Sequence, residues 1–240
     1  YKVMDQELKT YALKRVSLDG AEGASGLVES YLNEISLLKS LRGHKNIIHF
    51  VDSEIKQAEN VLYMILEFGE IDLARLIQQQ GESFNKNYLR VVWQQMLEAV
   101  HTVHEERIVH SDLKPANFVF VKGSLKLIDF GIAKAISSDT TNIMRDSTIG
   151  TINYMSPEAF ININEGSGQQ CMKLGRSSDI WSLGCILYQM VYGKTPFAHL
   201  TNMYQKVKCI PDPKYPIQYP KINDPLLMDV LKRCLQRDPK

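Results

Sequence analysis

At 240 residues the chain is long enough to bury a full core, either as one large domain or as two lobes around a cleft. Its 44% hydrophobic and 23% charged residues are those of an ordinary globular protein and exclude wholesale disorder and fibrous repeats. A formal charge of +1 gives no global electrostatic reason to expect a nucleic-acid or membrane partner, so partners have to be argued from sites.

In chain order, Tyr11 to Val16 alternates as a strand, and Val61 to Leu66 is a continuous apolar strand. Between them, a glycine-rich connector from Gly20 to Gly26 leads into a helix. Its apolar stripe is Leu27, Tyr31, Ile35, Leu38 and Leu41; Glu34 borders the stripe, and the helix ends near Gly43. After the polar-acidic segment Glu67 to Asp72 the pattern turns helical, most clearly over Tyr88 to His104. Two apolar runs, Phe118 to Val121 and Leu125 to Ile128, flank Gly123 like a small hairpin, and an apolar helix covers Ile180 to Tyr192. A polar insertion between Ala159 and Ser178 reads as a surface loop. These elements predict an α+β architecture: a strand-rich lobe over residues 1–66, a hinge over 67–72 and a helical lobe over 73–240.

The four cysteines, Cys171, Cys185, Cys209 and Cys234, are widely spaced, form no zinc-type cluster and read as reduced thiols. No apolar stretch is long enough to span a bilayer and no secretory signal opens the chain, so a cytoplasmic or nuclear protein is expected. The strand-like start at Tyr1 and the stop at Lys240 without a terminal cap read as a fragment cut at both ends.

The most informative stretch is Val109-His110-Ser111-Asp112-Leu113-Lys114-Pro115-Ala116-Asn117, followed by Ile128-Asp129-Phe130-Gly131. Phosphoryl transfer needs a carboxylate to orient the attacking hydroxyl and oxygen ligands to hold magnesium against a triphosphate. Asp112 fits the first task, Asn117 and Asp129 fit the second, and Lys114 fits neutralisation of the moving group. Each tripeptide alone reads equally as a turn, because Asp, Asn and Gly favour turns. Their combination in this order, with a hairpin between, resembles the signature set of eukaryotic protein kinases.

That resemblance implies a two-lobed fold, with a small antiparallel sheet and one helix in the first lobe. It further implies ATP and magnesium as cofactors and proteins as substrates. Tyr11-Ala12-Leu13-Lys14 resembles the strand lysine motif, in which Lys14 holds phosphates and pairs with Glu34. Gly150 to Glu158 resembles the end of an activation segment running over 129–158, with Ser156 in place of the usual alanine. Lys114 and Thr151 match the serine/threonine class. Asp179 resembles the aspartate that anchors the catalytic loop, although the same residue type suits a helix N-cap. By the same resemblance Glu67, Phe68 and Gly69 offer backbone groups to adenine and Leu66 closes the back of the pocket. Asp72 either lines the ribose edge or caps the next helix. The glycine-rich loop of the family would lie before Tyr1, and an arginine partner for Glu158 would lie beyond Lys240.

Met96 to Thr102, Ile108 to Phe118, Leu125 to Ala133, Asn153 to Ala159 and Tyr192 to Phe197 are similar to the monopolar spindle checkpoint (TTK-type) dual-specificity kinases. Ser111 before the catalytic aspartate and the insertion are the more specific features. The resemblance implies autophosphorylation at Thr140, Thr141 or Thr151, kinetochore and checkpoint proteins as partners, and a place at kinetochores and the spindle in mitosis. Competing readings are a pseudokinase scaffold, a serine/threonine kinase outside the checkpoint, and a small-molecule kinase on the same fold.

Overall fold

The computed structural model describes residues 1–18, 24–81, 84–130, 149–164 and 174–238. The first lobe is built on a four-stranded antiparallel sheet of β1 (Lys2–Met4), β2 (Thr10–Ser17), β3 (Phe50–Lys56) and β4 (Val61–Glu67), in the order β1-β2-β4-β3. The β2–β4 register sets Ala12 opposite Leu66, Lys14 opposite Met64 and Val16 opposite Leu62. Directly opposed residues share a face, so Lys14 stands on the side where Leu62, Met64 and Leu66 are buried. Helix α1 (Ala24–Ser40) belongs to the same core through Ile35, Leu37 and Leu38. It begins at Ala24, inside the expected connector, and the chain turns at Gly43 with a φ of 94° that suits glycine.

Strand β3 had no clear signal in the sequence. Phe50 to Lys56 carries two acids and a lysine, its burial fades after Phe50, and its pairing with β4 is interrupted between Phe50 and Asp52.

A second sheet, β5 (Ile71–Asp72), β6 (Phe118–Val121) and β7 (Ser124–Leu127), carries the expected hairpin. Lys122 and Gly123 both have positive φ, as a tight two-residue turn requires. The segment expected as a plain hinge therefore contributes strand at both ends, Glu67 in β4 and Ile71–Asp72 in β5. Asn46, Ile47 and Ile48 reach across from the first lobe. Leu127 N donates to Asn46 O at 2.9 Å, Ile48 N to Leu127 O at 3.0 Å, and Asn46 Nδ2 to Leu125 O at 2.9 Å.

The second lobe contains α2 (Leu73–Gln80), α3 (Lys86–Glu105), α4 (Ile149–Ile152), α5 (Pro157–Asn164), α6 (Arg176–Tyr192), α7 (Met203–Cys209) and α8 (Pro225–Cys234). Helix α6 is apolar nearly all round and correspondingly central; it ends on Gly193 in the left-handed conformation. The insertion over 159–178 is helical at both ends, contrary to its reading as a loop. Pro157 and Glu158 open α5, and Gly175 caps α6, whose first residues are Arg176, Ser177 and Ser178. Residues 165–173 lie outside the described residues, as do Thr140 and Thr141. Among the described residues no helix is long and apolar enough to cross a membrane.

Candidate active site

The catalytic-loop candidates are positioned from behind by α6. Asp179, with no solvent exposure, accepts from His110 N at 2.9 Å and from Ser111 N at 2.8 Å. Its Oδ2 also meets His104 Nε2 at 2.7 Å, at the last turn of α3. The helix cap is Gly175, so the anchoring alternative for Asp179 is the one the structure realises. Ser111 has a φ of 61°, a conformation that costs a non-glycine residue about 1 kcal/mol; the bond from its own amide to Asp179 holds it there. His104 was not singled out in the sequence, since a lone histidine ending a helix carries no motif.

His110 is buried, and desolvation pushes its imidazole pKa down against the raising influence of Asp179 and of its bond to Asp129 O. Asp112 N donates to Nδ1 at 3.3 Å, so the neutral ring carries its proton on Nε2 and donates to the Asp129 carbonyl. One histidine thereby ties the loop of Asp112 to the segment of Asp129.

At the front, Lys114 Nζ lies 3.1 Å from Asp112 Oδ2 and 3.4 Å from Thr151 Oγ1. Asn117 Oδ1 accepts from Lys114 N at 3.1 Å, while Ile128 N donates to Asn117 O at 2.9 Å, setting Asn117 beside the strand that leads to Asp129. The predicted Lys14–Glu34 contact is present at 3.5 Å, and Lys14 makes a shorter one, 2.6 Å, to Asp129 Oδ1. Burial pulls the Lys14 ammonium down, yet the charges of Asp129 and Glu34 outweigh it and the net shift is upward. Burial raises the Glu34 carboxyl despite Lys14.

Leu66 is buried opposite Ala12. The Glu67 side chain is engaged elsewhere: Oε1 accepts from Lys126 Nζ at 2.7 Å and from His49 N at 2.6 Å. Gly69 presses on β6, where an added Cβ would stand 2.2 Å from Val119 Cγ2. Asp72 realises its capping alternative, with Oδ1 accepting from Arg75 N at 2.8 Å at the start of α2. Ser156, unusual at its position, shares a buried 2.8 Å hydrogen bond with Ser178 of α6. Glu158 Oε1 is buried without a hydrogen-bond partner among the described residues.

The sites Lys14, Glu34, Asp112, Lys114, Asn117, Asp129 and Thr151 are thus joined, with His110 as the bridge, into one constellation. The profile of the protein kinase domain matches residues 1–240. The chain belongs to the protein kinase family. This kinase domain is 55% identical over 242 residues to a probable serine/threonine-protein kinase mps1 of Dictyostelium discoideum, covering 100% of the chain and 24% of that relative. It is 50% identical over 253 residues to serine/threonine-protein kinase mph1 of Schizosaccharomyces pombe, with 97% and 37% coverage. It is 46% identical over 243 residues to the dual specificity protein kinase TTK of Mus musculus, with 100% and 28% coverage. The chain therefore spans between a quarter and four tenths of the length of these relatives.

Kinase domains use ATP and a divalent metal, and the donors fit such a pair. Asn117 and Asp129 are hard oxygen donors, and among the described residues there is no cluster of three or more His, Cys, Asp or Glu to form an all-protein cage. A metal shared between one or two protein oxygens and substrate phosphates suits that set.

Proposed function

We propose that this kinase domain transfers the terminal phosphoryl group of ATP, with magnesium, to serine and threonine hydroxyls of proteins, as part of a longer protein acting in spindle checkpoint signalling. The observation that carries the reading is the linkage of Lys14 to both Glu34 and Asp129, with Asp112, Lys114 and Asn117 on a loop pinned by Asp179.

In this reading Lys14, oriented by Glu34, holds the phosphates. Asn117 and Asp129 hold magnesium, which would neutralise charge on the phosphate oxygens. Asp112 accepts the hydroxyl proton's hydrogen bond and aims the oxygen, and Lys114 stabilises charge on the moving group. Backbone groups of Glu67, Phe68 and Gly69 receive adenine in front of Leu66. Beside Lys114 lies an open cleft of about 510 Å³ lined by Ala116, Thr151, Asn153, Tyr154 and Thr195, where the acceptor chain would lie. The likeness to relatives named mps1, mph1 and TTK supports kinetochore and checkpoint proteins as partners, a nuclear or cytoplasmic location with recruitment to kinetochores and the spindle, dual specificity extending to tyrosine, and autophosphorylation of Thr140, Thr141 and Thr151.

Labelled ATP with magnesium and a generic protein acceptor tests the reading, using the domain with its natural flanking sequence. Transfer to serine and threonine should fall about 10³-fold in Asp129→Ala. A folded, nucleotide-binding protein that transfers nothing would instead be a binding scaffold.

A further inference from the structure

Lys206 is 4% exposed, whereas Lys208, two residues on in α7, lies in solvent. Among the described residues its amino group has one hydrogen-bond acceptor, Asn153 Oδ1 at 2.7 Å, and no carboxylate within ion-pair distance. Taking an ammonium out of water costs more than one hydrogen bond to a neutral amide returns, and burial holds this amine below the ordinary lysine value. A favourable place near the end of α7 accounts for a positive charge there, as it does for Lys208, but not for burying it. Stability alone would be served as well by an apolar side chain of the same length.

What the amine does hold is one wall of the cleft beside Lys114. Thr151, Asn153 and Tyr154 line that wall, and each of these three residues is tied to a different part of the lobe. Thr151 Oγ1 accepts from Lys114 Nζ of the catalytic loop at 3.4 Å. Tyr154 is held twice by α6, its hydroxyl donating to Gln189 Oε1 at 2.6 Å and its carbonyl accepting from Ser182 Oγ at 2.8 Å. Asn153 is held by Lys206 of α7. From Asn153 the path leads through Thr151 to Lys114 and on to Asp112, with a 3.1 Å contact at its end. It does not pass through Lys14, Glu34 or Asp129.

We infer that Lys206 is a positioning residue for the protein acceptor: by fixing Asn153 it sets the cleft wall on which the acceptor chain lies, without touching nucleotide handling. The inference rests on the protein kinase reading above. A charged donor suits the task because its bond to the Asn153 oxygen is stronger and more directional than a neutral contact, and a wall displaced by a fraction of an ångström misaligns the attacking hydroxyl.

The test compares Lys206→Met, Asn153→Ala and the double variant with the unaltered kinase. The readouts are kcat and KM for a protein acceptor, KM for ATP, ATP hydrolysis to water without acceptor, and Tm. The expected result is a loss of about 10-fold in acceptor kcat/KM in each single variant, expressed mainly in kcat, with no further loss in the double variant. In Lys206→Met, ATP KM and water hydrolysis should stay within about 2-fold, and Tm should hold or rise. Acceptor kinetics that match the unaltered kinase would overturn the inference. So would a lower Tm accompanied by a higher ATP KM and weaker acceptor kinetics in parallel, which is the mark of a merely structural lysine. Should Lys206→Met fail to fold, Asn153→Ala carries the same comparison from the other partner. An unaltered protein that hydrolyses ATP but phosphorylates no protein would sink the kinase reading first, which is distinguishable from equal transfer by unaltered and variant protein.

Discussion

Two aspartates on either side of the catalytic loop are treated in opposite ways. Asp179 is fully buried and committed to two backbone amides and an imidazole. Asp129 has a side chain 41% exposed and shares a 2.6 Å ion pair with Lys14, itself 34% exposed. The first arrangement resists exchange, since any partner lost leaves a buried donor unsatisfied. The second is a contact that solvent, a metal or phosphate can replace cheaply. Rigid backing and exchangeable front are what positioning chemistry asks of the same residue type.

Substitution separates the two roles. Asp129→Ala should remove about 10³-fold of transfer while unfolding free energy stays within about 1 kcal/mol, as befits a half-exposed pair. Asp179→Ala should cost about 3 kcal/mol, lowering Tm and activity together. Denaturation curves beside transfer assays decide the matter, and equal stability losses in both variants would erase the contrast.

A smaller effect is expected where the hinge backbone meets β6. Gly69→Ala places a methyl within 2.2 Å of Val119 Cγ2 and should cost about 2 kcal/mol through overpacking. Pairing it with Val119→Ala should recover most of that loss in the same unfolding experiment; no recovery would show that the close approach is not the cause.

The smallest effect concerns Glu34, which stands between the two extremes. Its carboxyl is raised from an ordinary value of 4.5, chiefly by burial. A carboxyl that keeps its proton longer in the folded state contributes stability that is complete below 4.5 and lost as pH rises through the folded value. The Tm of the unaltered domain relative to Glu34→Gln should therefore decline as pH is raised above 4.5. A difference that grows with pH would mean that pairing with Lys14 outweighs burial.

Much of this was legible in the sequence because its signals are local. The alternation of β2, the continuous apolar run of β4, the stripe of α1, the turn at Gly123 and the spacing of Asp112, Lys114 and Asn117 each depend on neighbours a few residues apart. The contacts that carry no sequence signal join distant segments. Lys14 to Asp129 spans 115 residues, His104 to Asp179 spans 75 and Lys206 to Asn153 spans 53, and no pattern within a window reports such pairs. The Gly-Ser-Gln centre of the insertion signals a loop, while its flanks are recruited into α5 and α6 by the Pro157-Glu158 start and the Gly175 cap. Asp179 shows the converse, where one residue type allowed two readings and only three-dimensional partners chose between them.

The crossing of Asn46, Ile47 and Ile48 onto β7 has a mechanical consequence. The chain passes between lobes at residues 68–70, and this hydrogen-bonded strap makes a separate crossing. Two attachment points define an axis. Relative motion of the lobes that preserves both is a rotation about the line joining them, so Lys14 would approach or leave Asp129 along an arc instead of sliding sideways across it.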